Sequence, residues 1–283
     1  MRFFRILFHL TEAFFLLGIA IFIYAWRIEP RWVEWNTIDM PIKNLPQNLI
    51  DKKLVQISDI HIGEHVNDDF IIDEFQKINN VNPDIVAYTG DFISPVRINH
   101  APFDQLEHIL KHSARGKLAT VAILGNHDYS VLARDGVVAD SICRLLEKYD
   151  ITVLRNAVID INGLHISGID DYWGRNFYPN KVLDCIDNTK ANIVLCHNPD
   201  VVDLDIWNGY NSWVLAGHTH GGQVRIPFGK TIRIPVDNKN YDSGIKNIDD
   251  GRTLYINKGI GHSIRIRFNV RPQVTFFNLK KAG

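Results

Sequence analysis

Five apolar, largely β-branched runs in this chain each end in a short cluster of carboxylate, imidazole or amide side chains. The runs are Leu54–Ile57, Ile85–Tyr88, Thr120–Leu124, Ile193–Leu195 and Trp213–Ala216. The clusters behind them are Asp59-Ile60-His61, Gly90-Asp91, Gly125-Asn126-His127-Asp128, Cys196-His197-Asn198 and Gly217-His218-Thr219-His220. Unbroken runs of this length read as strands buried on both faces. Polar clusters that recur at strand ends converge on one edge of a sheet, where loops carry the chemistry. A further cluster, Gly168-Ile169-Asp170-Asp171, reads as a structural turn near that edge rather than as ligands.

The residue types point to metal ions. Asp59, Asp91, His61, His197, His218, His220 and the amide oxygen of Asn126 form a mixed oxygen and nitrogen donor set. Such a set suits manganese, iron, zinc or cobalt better than a thiolate site does. Seven donors exceed the roughly four that one tetrahedral zinc takes. They match two ions sharing a carboxylate, an arrangement that clamps a phosphoryl group and activates water. His127 adds an imidazole beside a ligand, available to protonate a leaving oxygen.

In their order, D-x-H, G-D, G-N-H-D, a lone His and G-H-x-H resemble the calcineurin-like metallophosphoesterase superfamily. The stretch Gly217–Pro227 and the tail Asn257–Ser263 with Arg265 and Arg267 resemble a membrane-anchored bacterial subgroup, which includes a UDP-2,3-diacylglucosamine pyrophosphatase. The resemblance implies one ion held by Asp59, His61, Asp91 and His220. It implies a second held by Asp91, Asn126, His197 and His218, with Asp91 as the bridge. It also implies that His127 is the catalytic histidine and that Asp128 orients its ring. Two divalent ions are expected, with manganese foremost and iron, zinc or cobalt compatible. Gln273 stands where the subgroup usually has an acidic residue.

Composition limits the alternatives. With 31 basic and 32 acidic residues, the formal charge of −1 offers no global field for nucleic acid, which argues against a nuclease. A noncatalytic metal-binding scaffold is the other competing class, and His127 argues against it. Three cysteines, Cys143, Cys185 and Cys196, give no disulfide framework. Cys196 reads as a buried packing residue.

Residues Ile6 to Trp26 are mostly apolar, interrupted by His9, Thr11 and Glu12. The segment is close to the roughly 20 apolar residues a spanning helix needs. Tyr24, Trp26, Trp32 and Trp35 resemble an interfacial aromatic belt. An uncleaved anchor, or a helix lying in the interface, fits better than a removed signal peptide. The expected location is the inner (cytoplasmic) membrane. Basic residues nearly tie across the segment, so the side of the catalytic domain stays open.

The expected layout is an anchor helix over 1–28, an extended linker over 29–52 that contains Pro30, Pro41 and Pro46, and a metallophosphoesterase domain over 53–283. Helical spacing marks Asp68–Asn80, Phe103–His112 and Val137–Tyr149. Further strands are expected at Ile151–Leu154, Val158–Ile161, Leu164–Gly168, Gln223–Ile226, Thr253–Ile256 and Val274–Asn278. The fold class is α/β, two mixed sheets packed face to face under helices, a four-layer α/β/β/α sandwich. A membrane helix and the subgroup resemblance together favour a phosphorylated, lipid-linked small molecule as substrate. Tyr129, Trp173, Arg175, Arg265 and Arg267 are candidate substrate contacts with equally good structural readings. No protein partner can be inferred.

Overall fold

A computed structural model describes residues 2–63, 65–95, 101–130, 136–227, 229 and 231–283. Strands β1 (Glu34–Ile42), β2 (Lys53–Ile57), β3 (Ile85–Thr89), β4 (Ala119–Ile123) and β5 (Thr152–Val153) belong to one sheet, together with β12 (Gln273–Lys281). Its order is β1-β12-β2-β3-β4-β5. The second sheet holds β6 (Ala157–Ile161), β7 (Leu164–Gly168), β8 (Ala191–Leu195), β9 (Trp213–Ala216), β10 (Gly244–Asn247) and β11 (Thr253–Ile256), in the order β10-β11-β9-β8-β7-β6. Both sheets are mixed. β12 runs antiparallel to β2 in the first, and β6 and β10 run antiparallel to their neighbours in the second.

The sheets pack face to face over Leu54, Ile85, Val121, Ile166, Ile193, Leu215, Tyr255 and Phe277, all buried. Helices α2 (Asp68–Val81), α3 (Phe103–Leu110) and α4 (Gly136–Lys148) cover the outer face of the first sheet, with Ile71, Phe75, Ile109 and Ile142 in the contact. Each fully buried side chain of this size contributes about 1.5–3 kcal/mol of burial free energy. The cover of the second sheet is thinner. It consists of the short α5 (Asn180–Leu183), a 3-10 turn at Pro199–Asp203, and loops carrying Trp207, Tyr210 and Tyr241. Helix α2 starts where the Asn67 side chain accepts the Phe70 N–H (3.0 Å), with Asp68 and Asp69 in its first turn.

Three local expectations change. The stretch expected as an extended linker over 29–52 is extended over Glu34–Ile42, and as β1 it also pairs in parallel with β12 at the sheet edge. Pro41 is tolerated there because an edge strand can lack one N–H. Gln223–Ile226 is not a strand; only isolated bridges join Val224 to Phe268 and Arg225 to Thr231. Gln223 has a left-handed backbone (φ 57°), which breaks an extended run before it begins. Trp35 leaves the aromatic belt. It stacks on Phe276 (5.3 Å) and donates to Glu74 Oε2 (3.2 Å).

Helix α1 (Arg2–Ile23) buries no side chain. The helical run continues through Tyr24–Ile28 to Arg31, with a mean hydropathy of 2.2 in its most apolar window. By length and composition it is sufficient to cross a membrane.

Candidate metal centre

Parallel strands carry their following loops to one edge, and the backbone then knits those loops together. Asp59 and His61 donate their N–H groups to the carbonyls of Gly90 (2.9 Å) and Asp91 (3.0 Å), so the loop after β2 runs beside the loop after β3. The Gly217 N–H donates to the His197 carbonyl (3.0 Å) in the second sheet. The two halves meet where the His218 N–H donates to the Asp59 carboxylate (3.0 Å). Gly217 has to be glycine at this junction, because a Cβ would lie 1.9 Å from Ser58 Oγ. Gly90, at φ 92°, would place a Cβ 2.7 Å from His197 Nδ1.

Asp59, His61, Asp91, His218 and His220 all have left-handed backbones, with φ between 52° and 70°. Non-glycine residues rarely adopt this region, and the strain is held in place by the surrounding loops. The conformation aims their side chains inward. Asp59, His61 and His220 form one group of donor atoms, and Asp91, His197 and His218 form another. Asp91 Oδ2 lies between them, 3.1 Å from His197 Nε2 and 3.6 Å from His61 Nε2. His61 Nε2 and His220 Nε2 face each other at 2.9 Å, and His220 Nε2 is 3.3 Å from Asp59 Oδ1. His127 Nε2 lies 3.8 Å from Asp91 Oδ2, on a side chain one quarter exposed.

This arrangement fits divalent metal ions. Asn126 Oδ1 is buried with no hydrogen-bond partner among the described residues, so a strong acceptor is left free. The His197 Nδ1–H donates to the Thr89 carbonyl (2.7 Å), which directs its Nε2 at Asp91. The His218 Nε2–H donates to the Pro235 carbonyl (3.0 Å), which leaves Nδ1 directed at His197. Such outward hydrogen bonds fix the tautomer a metal needs. Burial pushes His61 and His218 down to about 3, keeping them in the neutral, ligating form. Burial also lowers His197, but the carboxylates of Asp91, Asp59 and Asp171 outweigh it and push it up to about 10. Asp59 is pushed up to about 6, chiefly by burial. For Asp91, burial acts upward, but the charges of His197 and His127 and the hydrogen bond from His197 hold it well below the usual carboxylate range. Asp59 and Asp91 bring carboxylate oxygens among the imidazole nitrogens, a mixed donor set of the kind that divalent ions take.

Among the described residues, Asp128 makes no hydrogen bond to the His127 ring. Its Oδ1 accepts the N–H groups of Phe92 (2.8 Å) and Ile93 (3.2 Å), and its Oδ2 accepts the Gly125 N–H (2.9 Å). A carboxylate whose oxygens are committed to three backbone donors ties the loop after β4 to the loop after β3. Burial and the charge of Asp91 push it up to about 8, against three donors that favour its ionised form.

A cavity of about 410 Å³ opens over the cluster, with Asn126, His127, Trp173, His218, Gln223 and Arg233 in its wall. The Trp173 ring meets the His218 ring edge-on at 4.6 Å. Of the other candidate contacts, Tyr129 is buried, donating to Asp170 Oδ1 (2.6 Å) and accepting from Arg155 (2.8 Å). Arg267 is fully buried and donates to the carbonyls of Lys258, Gly259, Gly261 and Val270. Arg175 is exposed, and Arg265 lies over Trp26 at 5.8 Å. Arg233 was missed, since a lone arginine outside every motif gives no signal. Asp170 serves the turn as expected, bound by Tyr129, Arg155 and Asn176. Its neighbour Asp171 is buried with Oδ1 unpaired among the described residues. Gln273 Oε1 accepts the Lys258 N–H (3.2 Å), an acceptor role an amide fills as well as a carboxylate. His262 is buried and donates from Nε2 to the His65 carbonyl (3.0 Å).

Comparison with known proteins agrees with this geometry. The sequence pattern of calcineurin-like phosphoesterases matches residues 52–222, and the chain belongs to that family. It is a metal-dependent hydrolase of the phosphoesterase class. Among its relatives is the UDP-2,3-diacylglucosamine pyrophosphatase LpxG of Chlamydia trachomatis, 26% identical, with 90% of this chain and 92% of that protein aligned. The metallophosphoesterase YkuE of Bacillus subtilis is 28% identical over 92% of this chain and 90% of its own length. The phosphodiesterase YaeI of Escherichia coli is 27% identical over 90% of this chain and 92% of its own.

Proposed function

We propose that the protein is a membrane-associated, dinuclear phosphohydrolase that cleaves a phosphoester or phosphoanhydride of a lipid-linked substrate such as UDP-2,3-diacylglucosamine. One observation carries the reading: Asp91 Oδ2 lies between two imidazole groups, 3.1 Å from His197 and 3.6 Å from His61. Asp59, His61, Asp91 and His220 would hold one ion; Asp91, Asn126, His197 and His218 would hold the other. Manganese is the favoured metal. Two such cations supply charge neutralisation at the phosphoryl oxygens and activation of water.

The remaining work falls to this chain's own side chains. The Thr89 and Pro235 carbonyls hold His197 and His218 in the tautomers that ligation needs. Asp128 fixes the loop on which His127 sits. Water attacks phosphorus in line with the leaving oxygen and gives up one proton to solvent, the P–O bond to that oxygen breaks, and the leaving oxygen takes its proton from His127 Nε2, which solvent then reprotonates. Trp173, exposed beside His218, offers a flat surface to a base or sugar ring. Relatives named as a UDP-2,3-diacylglucosamine pyrophosphatase and the exposed apolar α1 support the lipid-linked substrate.

The test uses full-length protein in detergent, stripped of metal and reloaded with manganese. It is assayed on UDP-2,3-diacylglucosamine, an aryl phosphodiester and a nucleic acid. Turnover of the first, abolished in Asn126→Ala, is the expected result. Cleavage of nucleic acid alone rejects the substrate class, and full activity in Asn126→Ala rejects the site.

A further inference from the structure

The cavity above the metal centre and the exit of α1 are built from one stretch of chain. Ser263 and Ile264 line the cavity. A few residues on, the Arg267 N–H donates to the Ala25 carbonyl (2.9 Å) and the Val270 N–H donates to Glu29 Oε1 (2.5 Å). The Phe268 ring packs edge-on against Tyr24 at 6.3 Å. The buried guanidinium of Arg267 spans from this junction to the Gly259 and Gly261 carbonyls, on the turn that covers Asp59. A second segment joins the same junction. The Arg225 N–H donates to the Phe268 carbonyl (2.9 Å), and Pro227 shares a cleft with Tyr24, Glu29 and Phe268. The helix exit is therefore fixed to the cavity rim rather than joined to it by a free tether.

Three isoleucines on or beside these segments stand exposed: Ile226 at 57%, Ile232 at 64% and Ile264 at 57%. One exposed isoleucine is ordinary. Three, next to a helix that buries nothing, are a patch that water alone does not explain. Arg233 stands exposed in the cavity wall, and Arg265 lies beside Trp26. Apolar side chains interspersed with arginine suit the headgroup layer of an anionic bilayer.

We propose that these two segments form a membrane-docking rim, which seats the mouth of the cavity on an anionic phospholipid surface. The proposal rests on the reading of α1 as a bilayer anchor. It adds that the rim enters the headgroup layer, so that a lipid-linked phosphate reaches His127 without leaving the membrane. An anchor alone would instead leave these side chains above the headgroups, in water.

The experiment reads depth rather than catalysis. Full-length protein carrying Cys185→Ser, which removes the exposed thiol, receives Ile232→Cys, Ile264→Cys or, as a control, Lys190→Cys. Lys190 is exposed and precedes β8, at the sheet edge opposite the metal centre. Each variant is labelled with a polarity-sensitive fluorophore and reconstituted in vesicles of phosphatidylethanolamine and phosphatidylglycerol. Flotation reports whether the chain binds at all. The expected result is that all variants float, and that emission at 232 and 264 shifts to shorter wavelength and is quenched by nitroxide-labelled lipid, while emission at 190 does neither. A chain that floats with 232 and 264 as wet as 190 overturns the rim and leaves the anchor standing. A chain that does not float overturns both.

Discussion

At the scale of single residues, Asp128 and His127 are adjacent in sequence and do different work. Among the described residues Asp128 accepts only backbone N–H groups, so an amide in its place turns two hydrogens toward a donor. Asp128→Asn is expected to cost about 1–3 kcal/mol in chemical denaturation, the range for leaving a buried donor without its acceptor. The pH dependence of turnover should keep its shape. His127→Ala should do the reverse: stability and metal content hold, while kcat falls by about 10²–10⁴, the usual worth of a general acid. Equal loss of stability in both variants would contradict the division. The cysteines give a second check. Burial pushes Cys143 and Cys196 up to about 12. An alkylating reagent at mildly alkaline pH should therefore modify Cys185 alone in the folded protein, and all three thiols in denaturant. Mass spectrometry counts the adducts.

At the scale of elements, β1 shows how a strand can escape a reading of its own sequence. Glu34–Ile42 contains Pro41 and four polar residues, and only its end is fully buried. Its stability comes from pairing with β12, more than two hundred residues later, in a register that sets Met40 opposite Leu279. No local pattern announces such a partner. Met40 is buried in the layer between the sheets. Met40→Ala is expected to destabilise the protein by about 2–5 kcal/mol; a neutral result by denaturant titration would mean that β1 is the loose lead-in its composition suggested. Gln223–Ile226 fails in the opposite direction. It has strand-like composition, but Gln223 turns left-handed and its side chain bonds the carbonyls of Ile264 and Ile266. Long-range contacts overrode propensity in both places.

At the scale of the whole molecule, the candidate metal centre is also the seam between the two sheets. His218 from the second sheet donates to Asp59 of the first, and Gln56 of the first donates to the Ala216 carbonyl of the second (2.9 Å). Cations that bind the folded state alone stabilise it by about 2.7 kcal/mol at a concentration a hundredfold above Kd. Removing them should lower Tm by about 5–10 °C for a chain of this size. Calorimetry before and after chelation, with recovery on manganese addition, checks this; an unchanged Tm would mean that the seam holds without ions.

The amino-acid sequence by itself determined the five strands that carry the motifs and the family, because buried strands need unbroken apolar runs and the polar motifs that follow them draw on few residue types. Those signals are local, and they survive without a partner. Only the tertiary structure decided that Asp128 is bound by backbone donors, that β1 is part of a sheet, that Arg267 is sealed inside, and that the exit of α1 is locked to the cavity rim. Each of these depends on which distant groups satisfy a buried donor, acceptor or charge, and that accounting closes only once the chain has folded.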